Sequence, residues 1–416
     1  MLKVVESFSG IGSQIKALKN IGIEHEIIAT IEWDINAIIA YDIIHHGKQD
    51  LTKYQSRNME ELKEELSKYT LSGDGKTPLT EKAIKRLGRQ QTTKLLNAIE
   101  RNKNLGSITD VKGEDLADDI DLFTYSFPCQ DLSRASSWHG NNSGINREAN
   151  NRSGMLWQVE RIMNERFRMN LSLPKFLLME NVSNILSDVH RNNFKIWEDA
   201  LIGMGYINII YTLNAKDFGS PQKRKRVYML SVQCNNNKEK IEALNEYIEN
   251  HRLDNERYLK TLNVTNKPIK DILRVEYDSH NKYKIEANEI QPNDTESRRK
   301  IYKENSLLYD GKEVIVESIQ TITTKQDRHP NSGVINYDSN REGKSKFRYL
   351  TPRECFMLMG FDEGDFEKLI DNNFNVCKNK KFFTPSKLYK LAGNSIVVDV
   401  LEAIFRQVND INDNIL

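Results

Sequence analysis

Lys3-Val4-Val5-Glu6-Ser7-Phe8-Ser9-Gly10-Ile11-Gly12-Ser13 opens the chain with a short apolar strand that runs into a glycine-rich turn. Ile11, Ile15 and Leu18 then recur at helical spacing as far as Gly22, so the stretch reads as β-turn-α. Glycines 10 and 12 let a ligand approach the backbone, and the helix start behind them offers the positive end of its dipole. A second strand at 26–31 ends in Glu32, placed to accept hydrogen bonds from two ribose hydroxyls, with Trp33 beside it to lie against a purine. The turn lacks the complete Gly-x-Gly-x-x-Gly pattern, which favours a smaller adenosine-bearing ligand over a dinucleotide. The expected class is α/β, built on a Rossmann-like sheet.

A chain of 416 residues suggests two domains, or one large domain carrying a smaller one. It is 38% hydrophobic and 29% charged, without a basic-then-apolar leader or an apolar run near the roughly 18 residues a membrane span needs. A soluble, cytoplasmic protein without a membrane partner is expected. The four cysteines are scattered and the eight histidines form no ligand-spaced cluster, so neither a disulfide framework nor a metal site is indicated. With a net charge of only +1, any nucleic-acid surface must concentrate its positive charge locally.

The apolar run at 120–125 is followed by Ser126-Phe127-Pro128-Cys129-Gln130. Pro128 stops the strand, and Cys129 falls in the loop beyond its carboxyl end, where a nucleophile of an α/β enzyme sits. Residues 134–153, rich in Gly, Ser, Asn and Arg, have the composition of a mobile loop able to close over a ligand. Another core strand at 174–179 delivers Glu180-Asn181-Val182, and strands at 207–213 and 226–232 flank Pro221-Gln222-Lys223-Arg224-Lys225-Arg226. Residues 45–105 read as an insertion. The boundaries expected are a catalytic domain at 1–232, a second domain at 233–375, and a 376–416 segment returning to the first. Within the second, 319–323 reads as a strand and alternation resumes over 347–361.

Phe8-Ser9-Gly10-Ile11-Gly12, Glu32-Trp33, Pro128-Cys129-Gln130, Glu180-Asn181-Val182, Gln222 to Arg226, Arg348-Tyr349-Leu350-Thr351-Pro352-Arg353-Glu354-Cys355 and Gly393-Asn394-Ser395 resemble, in this order, the motifs of the DNA (cytosine-5)-methyltransferases of bacteria and phages. Tyr125 to Ser133 is similar to the form in mollicute enzymes that methylate CG. The resemblance implies a Rossmann-like, S-adenosylmethionine-dependent methyltransferase domain with a smaller, mixed α+β target-recognition domain. It implies S-adenosylmethionine as cofactor, leaving as S-adenosylhomocysteine, bound at Phe8, Gly10, Gly12, Glu32, Trp33, Ser107, Ile108, Pro128, Leu156, Asn394 and Ser395. Cys129 is implied as nucleophile, Glu180 as the carboxyl group on the target base, and Arg224 and Arg226 as active-site arginines. Double-stranded DNA is the implied partner of a monomeric prokaryotic or phage-encoded enzyme, with or without a cognate restriction endonuclease. One departure matters: the third motif usually carries an acid where this chain has Ser107.

The residue types suit that chemistry. A thiolate adding to carbon 6 of cytosine turns the ring into an enamine whose carbon 5 attacks an electrophilic methyl group. The base must leave the duplex to be reached. Gln130 and Ser133 are expected at the DNA, with Lys325, Gln326 and Arg328 of a polar loop reading bases and Arg299 meeting phosphates. A tRNA methyltransferase on the same scaffold is the alternative within the class. A dehydrogenase, a binding module without catalysis, and a thiol hydrolase pairing Cys129 with His139 or His190 are the readings from other classes.

Overall fold

The computed structural model describes residues 1–129, 132, 144–146 and 152–416. Gln130, Ser133, His139 and most of the 134–153 stretch lie outside the described residues. The chain divides into two compact units: Met1–Leu213 with Lys225–Leu262 and Leu401–Leu416, and Asn214–Arg224 with Asn263–Val400.

In the first unit β1 (Leu2–Ser7) turns into α1 (Ser13–Asn20), and β2 (His25–Ile31) leads to α2 (Ile35–His46). α3 (Met59–Ser67) and α4 (Arg89–Arg101) take up much of the 45–105 stretch. There follow β3 (Leu122–Tyr125), α5 (Leu156–Arg168), β4 (Phe176–Val182), α6 (Asp188–Gly203), β5 (Tyr206–Asn214) and β6 (Lys225–Gln233). These strands form a sheet in the order β2-β1-β3-β4-β6-β5. β1 to β4 pair in parallel and β6 runs antiparallel to β4. After α4 the chain rejoins the sheet edge, where Leu105 N–H donates to Thr30 O at 2.9 Å.

The chain steps outward from β1 to β2 and returns on the other side of β1. The order therefore reverses between β1 and β3, the point at which an open α/β sheet forms its ligand crevice. Beneath it, Phe123, Tyr125, Leu177 and Met179 of the central strands pack with Val159 and Met163 of α5 and Phe194 and Trp197 of α6 in one apolar cluster. Trp197 also spends its indole N–H on the Tyr125 hydroxyl at 3.0 Å, so its one polar atom is satisfied within the core.

The composition break at 233 does not mark the boundary between the units. The helix Lys238–His251 buries Leu244 and Ile248 in the first unit, and the longer stretch of the second runs from Asn263 to Val400, where a boundary at 375 was expected. From Leu401 onward the last helix, Val398–Asn414, buries Leu401, Ile404, Phe405, Val408 and Ile411 in the first unit. Gln407 there accepts from the Tyr211 hydroxyl of β5 at 2.9 Å.

The second unit is built on β7 (Leu307–Tyr309), β8 (Val334–Asn336) and β9 (Phe347–Tyr349), with β8 in the middle. The strand expected at 319–323 shrinks to Ile319–Gln320, paired with Gln222–Lys223. The stretch 347–361 changes from β9 to a helix, Pro352–Leu358, because Thr351 and Glu354 close a capping box around its proline start. Arg348, fully buried, forks onto Glu354 with two bonds of 2.8 Å.

The two glycines of the first turn have different reasons to be glycine. Both have positive φ, 55° at Gly10 and 76° at Gly12, but a Cβ at Gly12 would lie 2.3 Å from His45 Nε2, whereas at Gly10 its nearest neighbour is 3.9 Å away. Gly10→Ala is expected to cost about 1–2 kcal/mol of stability, from backbone conformation alone. Gly12→Ala adds overpacking and should cost about 2–5 kcal/mol. Chemical denaturation of both variants checks the order, and equal losses would contradict it.

Candidate functional site

Ile31, Ser7, Tyr125 and Met179 stand in one row across four parallel strands: Ser7 pairs with both Ile31 and Tyr125, and Tyr125 with Met179. Each strand therefore delivers its next residues at the same sheet edge. Those are Glu32-Trp33, Phe8 to Gly12, the Ser126 to Cys129 loop, and Glu180. The site is thus a consequence of register.

At its β1–β2 side the backbone turns through positive φ at Phe8 (54°) as well as at Gly10 and Gly12. Phe8 N–H stays bonded to Ile31 O at 2.7 Å, which fixes where the turn begins. Glu32 accepts from Gly10 N–H at 3.0 Å and from the N–H groups of Trp33 and Asp34 at 2.8 Å each. Burial, with the nearby charge of Asp34, pushes the Glu32 pKa up to about 7 against the opposing pull of those three N–H donors. A carboxylate has about four lone-pair sites, so capacity for a further donor remains. Behind the turn, His45 holds Ile11 O with its Nε2 at 2.9 Å, and burial keeps that imidazole pKa low and the ring neutral.

Ser107 and Ile108 are both buried. The Ser107 hydroxyl is engaged with that of Thr109 at 2.8 Å, and Thr109 donates to Asp110 at 3.1 Å. Asp110 is the acid that this hydroxyl pair connects to Ser107.

The Cys129 loop is sewn down from several directions. Asn181 donates to Phe127 O at 3.1 Å, Ser153 to Pro128 O at 2.8 Å, and Asn184 to Leu132 O at 2.8 Å. Cys129 itself is half-buried and in no disulfide. Leu156 is fully buried in the core at the start of α5. His190 is buried, packed so closely under Gly144 that a Cβ there would meet its ring at 2.1 Å.

Glu180 meets Arg226 across the antiparallel pair β4–β6, with Nε to Oε1 at 3.3 Å and both side chains largely buried. Arg224 has a different environment. It belongs to the second unit, is buried, and its guanidinium donates to Ile322 O at 2.9 Å, Gly393 O at 3.2 Å and Ser395 O at 2.9 Å. Two arginines that sequence alone treats alike thus hold different partners, a carboxylate for Arg226 and a set of carbonyls for Arg224.

Asn394 and Ser395 also lie in the second unit, at the end of the helix Pro385–Asn394. A Cβ on Gly393 would come within 2.5 Å of the Thr323–Thr324 peptide, so this helix end seats the base of the polar loop. In that loop Lys325 and Arg328 are exposed. Gln326 is not available to a base: it is 1% exposed, its amide donates to Thr323 O at 3.3 Å and it accepts from Ser332 N–H at 3.4 Å. The buried main chain of a tight loop needs those partners more than solvent does. Arg299 is exposed, but both arms of its fork are bonded to Asp294 at 2.8 and 2.6 Å. Sequence reading gave no role to Asn181, Asn184, Ser153 or His45. Of these only Asn181 carried a signal, its place next to Glu180.

A profile of C-5 cytosine-specific DNA methylases matches residues 77–410. The chain is 33% identical to the orphan methyltransferase M.SssI of Spiroplasma monobiae over 98% of its length and 97% of the relative's. It is 31% identical to the type II methyltransferase M2.ScrFI of Lactococcus lactis subsp. cremoris over 98% and 99% respectively. Its fold is similar to that of the Dnmt2 methyltransferase of S. pombe, with a TM-score of 0.56 at 18% identity over 99% of both chains.

The Glu32 geometry generates a pH dependence. An ionised carboxylate accepts ribose hydroxyls, so binding of a ribose-bearing ligand should tighten as pH rises from 6 to 8 through its value near 7. Between the ordinary 4.5 and about 7 the folded chain keeps a proton that the unfolded chain has lost, so this group's contribution to stability falls as pH rises across that window. Calorimetric titration of S-adenosylmethionine at several pH values tests the first effect, and Glu32→Gln should flatten it. A wild-type affinity independent of pH would remove Glu32 from that role.

Proposed function

The chain belongs to the C-5 cytosine-specific DNA methylases, and from that membership we propose that it methylates a cytosine swung out of double-stranded DNA, through a covalent bond to Cys129. The observation that carries the reading is the register that brings the Cys129 loop and Glu180 to the carboxyl ends of adjacent parallel strands, with Arg226 on Glu180 at 3.3 Å.

The residues fit S-adenosylmethionine. The open turn at Gly10 and the half-buried Glu32 and Trp33 stand together at the switch point, where an adenosine-bearing ligand would find close backbone, a ribose acceptor and a flat apolar face. Phe8, Gly12, Ser107, Ile108, Pro128 and Leu156 complete the first unit's set; Asn394 and Ser395, which the family resemblance adds, belong to the second unit. When bound, S-adenosylmethionine supplies the methyl group as an electrophile.

The protein's own part follows from its side chains. The Cys129 sulfur adds to carbon 6 of the base, and the ring's electrons move to carbon 5. Glu180 hydrogen-bonds ring nitrogen 3 and the exocyclic amine, stabilising the charge that the addition creates. Arg226 sets the position of that carboxyl group and adds positive charge where a thiolate must form. After transfer a base removes the carbon 5 proton and the sulfur leaves. Asn181, Ser153 and Asn184 keep the cysteine loop in place for these steps, which lowers the cost of orienting sulfur and base.

Base recognition falls to the second unit. Lys325 and Arg328 are exposed on a loop whose buried Gln326 and Asn331 close it from inside, Asn331 donating to Gln326 O at 2.8 Å. Arg328 can fork onto guanine. A tRNA substrate is the less favoured reading, since the matching profile is named for DNA methylation and one of the two relatives is named a type II methyltransferase.

Transfer of a labelled methyl group from S-adenosylmethionine to duplex DNA, with tRNA as the parallel substrate, tests the activity. Cys129→Ala should lower transfer by about 10³-fold or more while duplex binding persists. DNA carrying 5-fluorocytosine should trap the wild type, since fluorine does not leave as a proton does, and a trapped base on another residue would overturn the assignment. Arg328→Ala should cost about 1–3 kcal/mol of discrimination at one base position. Gln326→Ala should instead cost about 1–3 kcal/mol of stability without changing the preferred sequence. Methylation sequencing and denaturation separate the two.

A further inference from the structure

Residues 372–398 contain five lysines and neither aspartate nor glutamate, in a chain with 60 basic and 59 acidic residues in all. Three of those lysines, Lys378, Lys380 and Lys381, stand at the tip of a β-hairpin in which Asn375–Cys377 pairs antiparallel with Lys380–Lys381. All three are exposed, and among the described residues none is in an ion pair.

The neck of this hairpin is built. Phe374 and Phe382 stack with ring centres 4.8 Å apart and planes 13° apart, and both are buried. Asn373 holds the two sides together, donating to Phe383 O at 2.9 Å and accepting from Phe383 N–H at 2.9 Å and from Phe374 N–H at 3.0 Å. Lys387 lies over the Phe382 ring at 4.2 Å. A buried aromatic neck under a lysine-only tip fixes positive charge at a defined place, at the cost of self-repulsion that only an anionic partner relieves.

The rest of the second unit sharpens the contrast. Arg299, expected to meet phosphates, is paired with Asp294 at 2.6 Å, and Lys300 and Lys346 are paired with Glu304 and Asp338 at 3.7 and 3.4 Å. Their charge is largely compensated, and that of the hairpin is not.

We infer that the 375–381 hairpin is a sequence-independent clamp on the sugar-phosphate backbone of the DNA substrate, outside the base-reading loop. This rests on the duplex-methylating function proposed above. Its position in the unit gives the contact a place on the duplex. The helix Pro385–Asn394 starts just after the hairpin and ends at Gly393 against Thr323–Thr324, the base of the reading loop. Ten helical residues span about 15 Å. At about 3.4 Å per base pair, the phosphates held lie roughly four to five pairs from the bases that the loop reads.

The test is binding of the full chain to a duplex containing its methylated site, and to a scrambled duplex, measured by anisotropy over a potassium chloride series. Lys378, Lys380 and Lys381 are changed together to Gln in one variant, and Lys300 and Lys346 in a control. The triple variant should flatten the slope of log affinity against log salt by about 2–3, since each phosphate contact contributes about 0.9. The loss should be equal on both duplexes and leave the methylated sequence unchanged. The control should change the slope by less than about 1. Trimming the duplex to fewer than about four pairs beside the site should abolish the difference between wild type and triple variant. A triple variant with the wild-type slope, or a larger effect from the control, overturns the clamp. Failure of the wild type to methylate any duplex speaks against the functional reading instead, and methyl transfer to the site-bearing duplex scores that separately.

Discussion

The molecule's chemistry depends on one constraint, the common register of four parallel strands. Because Ile31, Ser7, Tyr125 and Met179 stand side by side, a ribose acceptor, a ligand turn, a thiol loop and a carboxylate appear at one edge without any loop having to reach far. A shift of one residue in any strand would turn its terminal side chain to the other face of the sheet. The apolar cluster beneath the row supplies the energy that forbids such shifts. Phe123 and Leu177 are fully buried there against Phe194 and Trp197 of α6, and a slip of their strands would turn them out of that packing.

That core also explains why the polar parts of the site are tolerated. Glu32 is held with its pKa near 7 by burial, and Glu6, on β1, is fully buried with its own value pushed up to about 7 by desolvation. Two carboxyl groups on either side of the first turn cost stability when ionised, so the turn is a place where the fold gives up free energy. Such a cost is borne by the packing of β1 and α2, where Tyr41, Ile38 and Ile39 are buried. It is what leaves an acceptor dry enough to bind a hydroxyl strongly.

The site's residues were legible in the sequence where strand endings were marked by abrupt chemistry: glycines after 3–8, proline and cysteine after 120–125, an acid after 174–179. Periodicity locates a strand and punctuation locates its end, and the site lies where the two meet. What remained hidden has a common cause. Gln326 reads as a base contact because glutamine can fork onto adenine, yet it is buried and its amide donates to a main-chain carbonyl; Arg224, implied by the resemblance as an active-site arginine, is buried too and donates to main-chain carbonyls. A sequence shows a polar side chain's capacity to bond but not whether the backbone has already claimed it. The boundary at 233 failed for a related reason: the helix Lys238–His251 is polar in composition but buries Leu244 and Ile248. An amphipathic helix on a domain surface looks, by composition, like the start of something else.

The same accounting orders the second unit. Its charged residues are mostly spent internally: Arg348 on Glu354, Arg353 on Glu286 at 2.7 Å, Arg274 on Glu363 at 2.8 Å. In the Arg348–Glu354 pair the attraction of the arginine outweighs burial and holds the Glu354 pKa low, so both partners stay charged in the interior. A buried ion pair of this kind gains little over an apolar pair of the same size, but losing one partner is costly, which makes it a device for holding one arrangement and excluding others. In a segment whose strands are only three residues long, main-chain ladders alone give little rigidity. Ion pairs and side-chain bonds to carbonyls replace them; on the 323–331 loop Arg328 is itself paired with Asp327 at 3.5 Å, and among the described residues Lys325 and the lysines of the 375–381 hairpin face outward without an ion pair. Recognition by such a unit follows from which charges its own fold has left unspent.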